Sequence, residues 1–113
     1  MATARAATLC WLVCMALACG SGEQGAGLDT AAARGKTVYE NVCTACHHGD
    51  PRQAGALGPE LAGAPLELIE AKVLRNEYPP GYAPKRPGAS MPKYEYLAPN
   101  LGDIAAYLAT VTP

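Results

Sequence analysis

Residues 43–48, Cys-Thr-Ala-Cys-His-His, place two thiols and two imidazoles within six positions. Two cysteines separated by two residues suit a redox disulfide, half of a tetrahedral zinc site, or the attachment of a haem through two thioethers. A structural zinc site needs four ligands, usually from two such pairs. This chain offers only His47 and His48 beside Cys43 and Cys46, with no distant second pair. A thioredoxin-like redox pair normally opens a helix that follows a strand, and no strand pattern precedes Cys43.

The cellular compartment narrows the choice. The chain opens with Arg5, an apolar run from Ala6 to Ala18, and then a small-residue break, which is the grammar of a signal peptide over residues 1–18. That run is shorter than the about 20 residues needed to span a bilayer. An exported protein on the bacterial periplasmic side is expected. Cleavage after Ala18 would leave Cys19 as the first residue, followed by a glycine-rich stretch to residue 28. This junction resembles the lipobox of bacterial lipoproteins, although Ala16 stands where those motifs usually carry leucine. The resemblance implies a lipidated Cys19 and attachment to a membrane, with residues 19–28 as a flexible tether; plain secretion is the alternative. Of five cysteines, at 10, 14, 19, 43 and 46, the first two leave with the leader and the third is taken by lipid. Only Cys43 and Cys46 remain, so no disulfide framework is expected.

The element that must position these residues reads as a helix. Asp29 suits its N-cap, Ala31 to Ala33 favour helix, and Gly35, Val38, Tyr39, Val42, Cys43 and Cys46 recur at three- and four-residue spacing. The pattern predicts a helix that continues through both cysteines, places them on its buried side and stops at Gly49. Two thiols on one face, with His47 following at once, match covalent haem attachment and an imidazole held within reach of the iron. His48 is expected to be a solvated loop residue.

At this point the chain resembles the class I c-type cytochromes, from about Arg34 to Val111. The resemblance rests on the helix ahead of CTACH, on "LGPELAG" at residues 57–63, on "SMPKY" at 90–94, and on "PNLGDIAAYLATV" at 99–111. It implies an all-α, cytochrome c-like domain over residues 29–113, with three main helices and long loops around one covalently attached haem c. It also implies that the Pro59 carbonyl accepts the proton on the free nitrogen of His47, and that Met91 is the second axial ligand. Met91 is the only thioether left once Met1 and Met15 depart with the leader. Gly35, Tyr39, Ile104 and Tyr107 match the family's crossing between first and last helices. In that last helix Asn100 suits the N-cap, with Asp103 in the first turn.

A middle helix is expected to start at Pro65 and to turn Leu66, Ile69 and Val73 inward. Residues 78–92 are too rich in proline and glycine for regular structure. So long a loop implies a role, and delivering Met91 is such a role. The folded part contains no Phe, and Trp11, the only tryptophan, leaves with the leader. Haem must therefore supply much of the core, and a poorly folded apoprotein is expected.

An iron held by both His47 and Met91 has no free position for substrate, so the expected function is single-electron transfer between redox-partner proteins, not enzymatic catalysis. The alternatives are a haem sensor or peroxidase in which Met91 is displaced, and an electron-entry subunit of a respiratory complex. The chain offers no nucleophile–base pair, phosphate loop or nucleic-acid surface, so nucleic acid is not expected as a partner. Positive charge nevertheless gathers in residues 72–93, where Lys72, Arg75, Lys85, Arg86 and Lys93 face only Glu77. That segment suits docking to an acidic partner, or is simply a solvated helix and loop.

Overall fold

A computed structural model describes residues 28–113; the expected leader, Cys19 and the tether up to residue 27 lie outside them. Among the described residues the regular structure is entirely helical: α1 (Thr30–Val42), α2 (Leu66–Glu70) and α3 (Leu101–Ala109), joined by loops and short turns. None of these helices is long and apolar enough to cross a membrane.

Helix α1 starts as expected. The Asp29 carboxylate accepts the Ala32 N–H at 2.8 Å, satisfying one of the four free donors at the helix start. Its end differs from expectation: the α-helix stops at Val42, and Cys43–Ala45 form a 3₁₀ turn. The His47 N–H returns to the Cys43 carbonyl at 2.9 Å, well before Gly49. A 3₁₀ turn eclipses residues three apart, so tightening the chain here aligns Cys43 and Cys46 more closely than a continued α-helix would.

Helix α1 crosses α3 at Gly35. A Cβ on Gly35 would run into the backbone carbonyl of Asp103 and the nitrogen of Ile104, so only glycine permits this approach. One turn further along, the rings of Tyr39 and Tyr107 lie 5.5 Å apart at 58°, a tilted pairing favoured by the ring quadrupoles. Arg34 and Asp103 close the contact's outer edge through two hydrogen bonds of 2.7 and 2.8 Å. All four crossing residues expected from the sequence meet here.

Two helix starts depart from expectation. Asn100 makes no side-chain cap; residues Glu95–Asn100 instead form 3₁₀ turns that lead directly into α3. Helical turns already precede α3, so its first N–H groups do not depend on a capping side chain. Pro65 is extended, at φ −74° and ψ 154°, and caps α2 from outside as its N-cap rather than opening it. The buried arc of α2 is centred on Leu68 and Ile69, which leaves Leu66 on its flank and 41% exposed; Ile69 and Val73 do point inward, as expected. Beyond Glu70 the helix widens into a π turn, Ala71–Arg75, and ends at Asn76 in the left-handed conformation, φ 56°. The core formed by these helices includes Tyr39, Leu68, Ile69, Leu97, Leu101, Ile104 and Leu108.

Candidate functional site

Between the helices lies a cavity of about 660 Å³, within the range of about 300–1,000 Å³ usual for small-molecule and cofactor sites. Its wall includes Cys43, Cys46, His47, Pro59 and Met91, so the structure brings to one space every expected site residue it describes. Among the described residues the two cysteines are not joined in a disulfide. In the polypeptide alone, burial pushes the Cys43 thiol up to about 11.

His47 is held from three directions. Its backbone N–H donates to the Cys43 carbonyl at 2.9 Å, just past the 3₁₀ turn that the Cys46 N–H closes. The Cys46 carbonyl beside it accepts the N–H groups of Leu57 and Gly58 at 3.2 and 3.0 Å, which folds the 55–59 loop against the imidazole. The ring nitrogen Nδ1 lies 2.8 Å from the Pro59 carbonyl oxygen. A carbonyl can only accept, so Nδ1 carries the proton and Nε2 retains its lone pair. Burial lowers the His47 pKa, only partly offset by the Pro59 bond, and so favours the neutral ring that a metal requires. Gly58 completes the support: a Cβ there would overlap the imidazole itself. Behind the turn, the fully buried Tyr39 donates its hydroxyl hydrogen to the His48 carbonyl at 2.6 Å. Burial pushes its phenol up to about 12, so the donor proton stays in place at physiological pH. The His48 side chain itself is exposed.

Met91 arrives on the long loop after α2. Its backbone N–H donates to Asn76 Oδ1 at 3.2 Å, and three residues later the Tyr94 N–H donates to the Val73 carbonyl at 2.7 Å. Both ends of the SMPKY segment are thereby tied to the π turn. Elsewhere in the loop Tyr78 and Tyr82 stack at 5.5 Å, nearly parallel, with the Lys72 ammonium 4.1 Å above the Tyr78 ring. The loop is also fastened to the histidine side. Arg86 donates to the carbonyls of Gly55 and Ala56 at 2.9 and 3.4 Å, and Lys85 pairs with the Glu60 carboxylate at 3.1 Å. The cations that sequence reading offered as docking charge thus also hold the two lips of the cavity together.

Asn76 and Arg86 were missed as site residues. Asn76 carries a local signal, because asparagine after a helix tolerates the left-handed conformation better than other non-glycine residues. The Arg86 bonds span about 30 positions of chain, and no local pattern reports them.

The donor set fits a haem. Two thiols on one turn suit two vinyl groups, the cavity accommodates a large planar group, and an imidazole and a thioether share its wall. Residues 32–112 match the family model for cytochrome c. The chain is 31% identical over 88 residues to cytochrome c-554(547) from Halothiobacillus neapolitanus, an alignment covering 71% of this chain and 96% of that protein. No solved structure matches it. The chain therefore belongs to the cytochrome c family, with covalently attached haem c as its cofactor and electron transfer, not enzymatic catalysis, as its activity.

Proposed function

We propose that this protein is a periplasmic monohaem electron carrier in which Cys43 and Cys46 would hold the haem by thioethers, and His47 Nε2 and Met91 Sδ would ligate its iron. The observation that carries the reading is the 2.8 Å bond between His47 Nδ1 and the Pro59 carbonyl. It selects the tautomer with Nε2 free, fixes the ring's orientation and increases its basicity toward iron. Haem, when bound, supplies an iron that accepts and releases one electron, with a methionine ligand favouring a higher potential. The chain's residues do the rest. With both bound, His47 and Met91 would leave no coordination position for substrate, and Lys85 and Arg86 fasten the intervening loop to the histidine side.

Carbon monoxide binding tests the ligand set. The ferrous protein should bind the gas slowly and incompletely, whereas Met91→Ala should bind it readily and have a lower reduction potential. Rapid, complete binding by the unmodified protein would exclude Met91 as a stable ligand.

Cleavage before Cys19 and lipidation of that residue would tether the carrier to a membrane by the glycine-rich segment that follows. One acyl chain binds only marginally, so firm retention calls for the several chains of a lipoprotein anchor. An exported Cys19→Ala protein should leave the membrane fraction; equal retention would sink the anchor. For partners, we assign the basic 72–93 face to docking with an acidic redox protein. Arg86 supports this, since its contacts are neutral carbonyls and its charge is left uncompensated by them.

A further inference from the structure

We infer that Asn76 is a positioning residue that latches the Met91 loop, holding the thioether at the haem site. This rests on the reading of Met91 as an axial ligand and adds a cause for its placement.

Among the described residues Asn76 is the only non-glycine with a positive φ, a conformation disfavoured for most L-residues. It ends the π turn at that point. Its N–H donates to the Lys72 carbonyl, and the Glu77 N–H reaches back to Ala71, both at 3.0 Å. The left-handed turn aims the Asn76 side chain at the returning loop, fourteen and fifteen residues further along the chain. There Oδ1 accepts the Met91 N–H at 3.2 Å and the Lys72 ammonium at 2.9 Å, while Nδ2 donates to Ser90 Oγ at 3.1 Å.

The orientation of the amide follows from its partners. The Met91 N–H and the Lys72 ammonium can only donate, so the oxygen must face them and the NH₂ must face Ser90. One side chain thus binds the methionine's own backbone N–H and the side-chain hydroxyl of the residue before it. Lys72 is itself held over Tyr78, which fixes the latch from the other side. The surrounding loop contains Pro79, Pro80, Gly81, Pro84, Pro87 and Gly88 and has no helix or strand ladder of its own. The backbone at Met91 is therefore held by this side chain and by the Tyr94–Val73 bond.

The test uses the purified holoprotein and three variants. Asn76→Gly keeps the left-handed backbone accessible but removes the carboxamide. Asn76→Asp keeps an acceptor for Met91 and Lys72, and Ser90 can then donate to it. Met91→Ala marks the fully unligated state. The readouts are the weak long-wavelength sulfur-to-iron band of the ferric protein and the rate of carbon monoxide binding by the ferrous protein. In Asn76→Gly the population with displaced Met91 should rise about tenfold, equivalent to about 1.4 kcal/mol, the order of one net hydrogen bond. Asn76→Asp should restore both signals toward the parent. Parent-like signals in Asn76→Gly would overturn the latch while leaving Met91 ligation intact. A parent indistinguishable from Met91→Ala would overturn the ligand reading beneath it. Amide exchange at Met91 in the parent decides the matter even if Asn76→Gly yields no holoprotein: protection supports the latch, and exchange as fast as in the open loop overturns it.

Discussion

At the level of single residues, His47 is positioned mainly by backbone: the carbonyls of Cys43 and Pro59 and the unsubstituted Cα of Gly58. This makes Gly58→Ala an informative substitution. Its Cβ would overlap the imidazole, so either the ring tilts away from Pro59 or the 55–59 loop moves. Overpacking of this kind costs about 1–3 kcal/mol, and the Nδ1–Pro59 bond should be weakened with it. Gly49→Ala is the matched control, since a Cβ at Gly49 meets nothing within 4 Å. Thermal unfolding of the holoproteins and the Nδ1 proton resonance of the ferrous forms should distinguish the two. A Gly58→Ala protein identical to Gly49→Ala in both would show that the glycine is not needed to seat the ring. That Cys43, Cys46 and His47 share one cavity wall was legible in the sequence because Cys-x-x-Cys-His encodes its geometry locally. Asn76 was not, because its partners Ser90 and Met91 lie across a loop whose path depends on the rest of the fold.

The helices show a similar division. The start of α1 could be read from Asp29, whose cap depends on residues three positions apart. Its end could not, because the 3₁₀ turn at Cys43–Ala45 is stabilised by the 55–59 loop folding onto the Cys46 carbonyl, a contact invisible to periodicity. Likewise Asn100 has the right chemistry for a cap, but the preceding 3₁₀ turns leave that role unfilled. Leu66 follows the apolar spacing yet lies on the flank of an arc centred on Leu68 and Ile69, because at the first position of α2 spacing alone does not set where the arc is centred. The α1–α3 crossing was legible through Gly35, and it supports a quantitative test. Gly35→Ala gains about 1 kcal/mol of helix propensity but drives a methyl group into the backbone of α3. With no flexible side chain able to yield, the net effect should be a loss of about 2 kcal/mol or more, lowering Tm by about 8 °C or more. Gly102→Ala, within α3 and facing open space, should be neutral or slightly stabilising. Equal Tm values for the two variants would mean that the crossing does not require close backbone approach.

For the whole molecule, the cavity and the surface charge set the terms on which the protein meets its cofactor and partner. The cavity of about 660 Å³ is lined by Tyr39, Leu68, Ile69, Val73, Leu97 and Leu108 of the core cluster, so a haem seated there would cover core surface and be part of the core. The same packing ties charge to structure. Lys85 pairs with Glu60, Arg75 with Glu77, and Arg86 holds the carbonyls of Gly55 and Ala56, so reversing charge at Lys85 or Arg86 would disturb loop closure together with docking. Lys93 gives the cleaner test, being exposed and without an ion pair among the described residues. If the 72–93 face steers an acidic partner, the bimolecular electron-transfer rate should fall as ionic strength rises from about 0.01 to 0.1 M, where the screening length shortens from about 30 to 10 Å. Lys93→Glu should slow the reaction at low salt and flatten that dependence, because long-range steering acts mainly on the association rate. Its sulfur-to-iron band should match the parent's, which separates a docking effect from a disturbance of Met91 two residues away. A salt-independent rate for the parent, or a parent-like rate for Lys93→Glu at low salt, would remove this face from the docking account.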